Sequence, residues 1–146
     1  MQALFNAITF ENGATVGRNW YRPELKYVFL LFLFTGERRD GIVKMKWSHK
    51  EDNYLAIPNW KLSSEDVIER RIYITKDIAK VLLYLGGDGD GYVVFPERSN
   101  RDQLKDELSK SFSHFWSKSG NPGRKELRHL RKTYATKMKI VLGDLS

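Results

Sequence analysis

The sequence predicts an α+β domain, mainly helical, with one small antiparallel β-sheet. Three observations predict it. Apolar residues recur every three or four positions over most of the chain, the mark of helices that bury one face. That period gives way to strand-like alternation only in the middle, between Tyr54 and Thr75. The 146 residues are 41% hydrophobic, with 4 Trp, 7 Tyr and 8 Phe, enough to fill a single core.

Taken in order, Ala3, Leu4, Ala7 and Ile8 keep helical spacing with no cap before them. The expectation is one domain over 1–146 that opens inside an element and is truncated at both ends. A loop is expected around Asn12 to Gly17. Pro23 and Glu24 then start a helix, because a first-turn proline lacks an N–H that would have no partner and the acid suits the helix dipole. Leu25 to Phe34 is apolar nearly all round, which puts this helix at the centre of the domain, and Gly36 ends it. A second helix follows from Arg38 through Trp47, with Ile42, Val43 and Met45 inward. Tyr54 to Ile57, stopped by Pro58, and Arg71 to Thr75 read as two antiparallel strands. The long polar turn joining them, Leu62 to Arg70, has some helix propensity of its own. Thr75 caps a helix bearing Ile78, Val81, Leu82 and Leu85, closed by Gly86 and Gly87. Tyr92 to Phe95 is a brief extended run. Asn100 caps a helix with Leu104, Leu108, Phe112, Phe115 and Trp116 on one face, and a last helix from about Arg124 carries Leu127, Leu130, Tyr134, Met138 and Val141.

The formal charge is +7, and all of it sits in one segment. From Lys118 to Lys139 eight basic residues face Glu126 alone, while elsewhere 17 basic residues meet 17 acids. One basic surface suits a polyanion, because each neutralised phosphate releases condensed counterions. A solvated helix face explains the charge equally well, so other residues must decide. With no cysteine, disulfides and thiolate metal sites are excluded and a cytoplasmic setting is expected. The longest strongly apolar run, Tyr27 to Phe34, falls well short of the roughly 20 residues that cross a bilayer. The first residues do not read as a signal peptide, and no membrane partner is expected.

Three separated segments carry candidate chemistry. The first is Thr35-Gly36-Glu37-Arg38 with Ile42-Val43-Lys44-Met45-Lys46-Trp47 after it; the second is Ile57-Pro58-Asn59-Trp60-Lys61 with Arg71-Ile72-Tyr73-Ile74; the third runs Leu127-Arg128-His129-Leu130-Arg131-Lys132-Thr133-Tyr134-Ala135-Thr136. In this order they resemble the first arginine box, the lysine-bearing hairpin and the second arginine box of the catalytic domain of tyrosine recombinases, the phage-integrase family. Each box alone is weakly specific. Together they cover nearly the whole chain.

The resemblance implies a helical catalytic core that binds double-stranded DNA and, in its complete form, cuts and rejoins it through a 3′-phosphotyrosyl intermediate. Displacement at phosphorus loads charge onto the non-bridging oxygens, which always-protonated guanidinium forks can hold; Arg38 and Arg131 take that role by resemblance. Lys61 is the candidate acid for the departing oxygen, since a lysine ammonium among other cations shifts its pKa readily. Arg128 stands where the family usually has histidine. It can still grip phosphate but is a poor proton shuttle. His129 lies roughly 100° further round the helix and does not replace it. Gly41 stands where the family commonly has an acid, which leaves the local packing open. Arg124, Lys125, Lys132 and Lys137 are the candidate DNA-backbone contacts. The family's nucleophilic tyrosine lies on later helices; Tyr134, in the apolar stripe, does not substitute for it, so this chain alone is expected not to cleave DNA. No metal, cofactor or small-molecule substrate is implied. Self-association on DNA is expected of the full-length form, in a prokaryotic or phage setting at the nucleoid.

Plainer readings stand beside these. Arg38 taken alone is more often a surface arginine at a helix start, an internal carboxylate could serve Arg131, and Lys50 or Lys76 could be mistaken for Lys61. Asp88-Gly89-Asp90-Gly91 with Glu97 lacks ligands at the later positions of a calcium loop and reads as a glycine-rich turn. Two rival functions remain: a type IB topoisomerase-like enzyme using a similar residue set, and a non-catalytic DNA-binding module of the same fold.

Overall fold

A computed structural model of the chain describes residues 2–58, 69–123 and 125–130. Its elements are α1 Gln2–Ala7, α2 Phe10–Gly13, β1 Ala14–Thr15, β2 Arg18–Asn19, α3 Leu25–Thr35, α4 Arg39–Lys44, a single 3-10 turn Trp47–His49, β3 Tyr54–Pro58, β4 Glu69–Tyr73, α5 Lys76–Leu85 and α6 Arg101–Lys118. The mainly helical α+β class is the one the sequence predicts.

The core is organised around α3. Val28, Phe29, Leu31 and Phe32 are buried on several sides of this helix, as its all-round apolar sequence requires. It packs on α5, while α6 packs against α1, α2 and α4. Phe29 meets Phe112 of α6 edge to face, with ring centroids 5.3 Å apart at 89°, the arrangement that ring quadrupoles favour. Capping residues sit where the sequence places them. The Thr75 hydroxyl accepts from the Ile78 N–H at 3.2 Å and the Asn100 side chain from the Gln103 N–H at 3.0 Å, each satisfying a helix-end donor.

Four local expectations are corrected. The loop at Asn12 to Gly17 contains one turn of helix, capped by Thr9, and a two-stranded hairpin pairing Ala14 with Asn19. The second helix ends at Lys44 rather than Trp47. There the Val93 N–H donates to the Met45 carbonyl and the Trp47 N–H to the Gly91 carbonyl, both at 3.0 Å, so a distant segment claims the backbone that would have continued the helix. Strand β4 begins at Glu69, two residues before the expected start, because pairing with β3 runs on to Pro58. Lys125 and Glu126 are not helical, and helix is reached only at His129; the His129 Nδ1 accepts from the Glu126 N–H at 2.9 Å, closing the turn between them.

Candidate functional site

The first arginine box is a helix end built from its own side chains. Gly36 takes the left-handed conformation, φ 64°, and its N–H closes on the Phe32 carbonyl, a position a Cβ would strain. The Thr35 hydroxyl donates to the Leu31 carbonyl at 2.7 Å and accepts from the Glu37 N–H at 3.2 Å, so the side chain of the box itself ties the last turn of α3 to the residues that follow. Arg38 follows in an extended conformation as the N-cap of α4, with its side chain exposed. Among the described residues no ion pair holds its guanidinium.

What fixes this turn is Glu37, a residue the sequence reading passed over. It is 6% exposed. Its Oε1 accepts from the Arg38 N–H at 3.0 Å and from Arg70 Nη1 at 3.4 Å, while Oε2 lies 3.3 Å from the same Arg70 nitrogen without hydrogen-bond geometry. The carboxylate has room there because residue 41 is glycine: a Cβ at Gly41 would stand 2.8 Å from the Glu37 Cγ. The space that Gly41 leaves is thus filled by the side chain of Glu37. Arg70 lies on β4, opposite Ile57, so Glu37 also ties the hairpin to the turn that presents Arg38.

Arg38 and Arg128 line one concavity of about 280 Å³, with Phe32 and Leu127 as its apolar wall. Glu37 and Asp40 border it too, but both carboxylates are engaged by cations: Glu37 by Arg70, and Asp40 by Lys105 at 3.0 Å and Lys44 at 3.9 Å. Arg39 is turned toward α6, donating to the Ser109 hydroxyl at 2.6 Å. Arg128 is largely exposed and pairs with Glu126 at 2.7 Å. A second, wider groove of about 560 Å³ continues past Arg39 and Arg128 to Lys110 and Ser113. Chemically, the smaller concavity holds the Arg38 guanidinium and, beside it in the lining, that of Arg128 paired with Glu126, while Glu37 and Asp40 are engaged by other cations.

Of the residues expected to contact the DNA backbone, Lys125 is described, its Nζ 5.2 Å from the Trp116 ring centroid, a cation–π contact. Lys61, Arg124, Arg131, Lys132 and Lys137 lie outside the described residues, as does Lys139 at the end of the basic segment.

No protein-family model matches the sequence, and neither does any curated protein. Solved structures do. A lambda integrase tetramer bound to a Holliday junction matches over 92% of this chain with a TM-score of 0.63 at 20% identity. A lambda integrase dimer bound to a COC′ core site matches as well, at the same TM-score, identity and coverage. XerA recombinase matches over 94% with a TM-score of 0.62 at 17% identity. The fold is that of the tyrosine recombinases. The chain spans 39%, 37% and 47% of those three chains respectively. Within the tyrosine-recombinase fold, the Thr35-to-Arg38 turn and Arg128 face one cavity although 90 residues of sequence separate the two arginines. The signal that could have revealed Glu37 is the glycine at position 41, four residues on and hence one helical turn away. Arg70, 33 positions distant, left no local trace.

Proposed function

We propose that this chain forms the phosphate-gripping part of a site-specific recombinase or integrase catalytic domain acting on double-stranded DNA. The observation that supports it is the concavity shared by Arg38 and Arg128 on a fold common to lambda integrase and XerA recombinase. In this reading 1–146 is one domain. Arg38 and Arg131 hold the non-bridging oxygens of the scissile phosphate, where fixed donors stabilise developing charge. Arg128 adds a third guanidinium, and Lys61 protonates the departing 5′-oxygen. Arg124, Lys125, Lys132 and Lys137 contact neighbouring phosphates. The strand-cutting tyrosine comes from helices later than Tyr134, so the 146 residues alone bind DNA without forming a covalent adduct. Copies of the longer protein associate on DNA, and the protein works in the cytoplasm, at the nucleoid.

The test has two parts. Duplex binding by this chain is measured across a salt series, in which Arg38→Ala is expected to lower the slope of log affinity against log salt by about one. A longer protein carrying the tyrosine is then given a nicked suicide duplex, and the trapped adduct is expected to form roughly 10²-fold more slowly in Arg38→Ala or Arg131→Ala. Undiminished trapping in both variants refutes the assignment. One observation favours a second reading, a non-catalytic DNA-binding module: the arginine in the histidine's place, Arg128, is paired with Glu126 and offers no proton. Binding with a normal salt slope but no trapping in the longer protein decides for it.

A further inference from the structure

A second basic cleft lies at the other end of α4. Its described lining is Lys44, Lys46, His49, Tyr92 and Arg101, around a volume of about 370 Å³. Lys44 closes α4, and Lys46 follows in the extended stretch that bridges to Tyr92. That bridge sets the Lys46 ammonium 5.3 Å from the Tyr92 ring centroid, while the Arg101 guanidinium lies over the same ring at 3.9 Å. Tyr92 is therefore flanked by two cations.

The hydrogen-bond inventory of the cleft is one-sided. Ammonium and guanidinium groups donate and cannot accept. The His49 Nδ1 already accepts from the Lys46 N–H at 3.1 Å, so in the neutral ring Nε2 carries the proton and is a donor as well. Arg101 spends its N–H groups on the carbonyls of Val43, Val94, Phe95 and Arg98; no carboxylate cancels its charge in those contacts. The phenol of Tyr92 alone can either give or take. Among the described lining residues none is acidic. Asp40 lies 3.9 Å from the Lys44 Nζ and is held more closely by Lys105 at 3.0 Å. Burial lowers the pKa of Arg101, and Tyr92 and Glu97 offset that lowering only in part. Three cations gathered in one recess repel one another unless an anion enters, and a lining made of donors suits a ligand made of acceptors.

We propose that the Lys44–Lys46–His49–Tyr92 cleft binds a phosphate oxyanion, with Arg101 as the fixed charge of its floor. The site is separate from the Arg38–Arg128 concavity and does not depend on the recombinase reading. The oxyanion belongs either to a nucleic-acid backbone or to a free phosphorylated small molecule. The recess, at about 370 Å³, is many times the roughly 30 Å³ share of one water and accepts a phosphate with part of its hydration.

The experiment titrates the 146-residue chain with inorganic phosphate, using chloride at matched ionic strength as control, and follows the His49 ring by proton–nitrogen correlation. A saturable shift at His49 is expected with phosphate only. The Lys44→Gln/Lys46→Gln variant should weaken it by at least roughly tenfold, the loss expected when a charge-assisted hydrogen bond is removed. Arg38→Gln should leave it intact, which separates this site from the first. A non-saturating shift, a shift reproduced by chloride, or an unchanged response in the double variant overturns the proposal, and the first two decide it even should the variant fail to fold. A short duplex added to the phosphate-saturated protein then identifies the source: displacement of phosphate from His49 at stoichiometric duplex points to a nucleic-acid backbone, and phosphate retained beside bound duplex points to a free phosphorylated ligand.

Discussion

Gly41 and Glu37 should be coupled in stability. Gly41 sits inside α4 with the carboxylate arm of Glu37 over its Cα; an added Cβ would lie 2.8 Å from Cγ, 3.0 Å from Oε1 and 3.1 Å from Cδ. Cγ is near the root of the side chain and cannot swing clear while Oε1 accepts the Arg38 N–H. In an open helix Gly→Ala gains about 1 kcal/mol. Here overpacking costs about 1–3 kcal/mol, and displacing Glu37 loses a hydrogen bond to a charged acceptor, about 1.5–3 kcal/mol. The net expectation for Gly41→Ala is a loss of about 3 kcal/mol. Glu37→Ala alone loses a similar amount, because its side chain is only 5% exposed and its partner Arg70 is left half in solvent. In the Glu37→Ala background, however, the space is empty and Gly41→Ala should become stabilising by up to about 1 kcal/mol. Urea unfolding of the four proteins measures the cycle. If Gly41→Ala costs the same in both backgrounds, within about 0.5 kcal/mol, the close approach is not what forbids a side chain at position 41.

Two further outcomes follow from buried and paired charges. Arg101→Met should destabilise by about 3 kcal/mol or more in denaturant unfolding, since it strips a donor from four backbone carbonyls, and unsatisfied buried groups cost about 1–3 kcal/mol each; a loss under about 1 kcal/mol would mean those carbonyls find other partners. Glu107 accepts from Arg98 at 2.6 Å, which holds its carboxyl below the usual value near 4.5, with Arg18 helping. A depressed folded pKa gives stability that is complete above the unfolded value and drains away as pH falls through the folded one. The melting temperature should therefore drop on acidification from about pH 5, and Glu107→Gln should flatten that slope; an identical slope in the variant would remove Glu107 from the account.

The elements whose signals are local were legible in the sequence. The all-round apolar α3 stands at the centre, Thr75 and Asn100 cap α5 and α6, and Gly36 ends α3 in the left-handed conformation. Elements decided by a distant partner were not. α4 stops at Lys44 because residues 91–93 take the Met45 and Trp47 backbone, and no periodicity between Arg38 and Trp47 announces that. The site divides the same way. Arg38 and Arg128, named from two separate motifs, line one cavity, whereas nothing in the sequence marked Glu37, its burial being decided by a missing Cβ one turn ahead and a guanidinium on β4. Lys125, named for its charge, also stands 5.2 Å from the Trp116 ring centroid, a contact that a charge count does not reveal.

Arg101 carries a consequence for how the molecule comes apart. The backbone at 94–98 has no ladder of its own among the described elements; its carbonyls at Val94, Phe95 and Arg98 are gathered by one side chain projecting from the first turn of α6, which also reaches the Val43 carbonyl in α4. The shape of that stretch is borrowed from the helix that follows it. Undocking α6 would release the segment and the end of α4 in the same event, so these three pieces open and close as one cooperative unit.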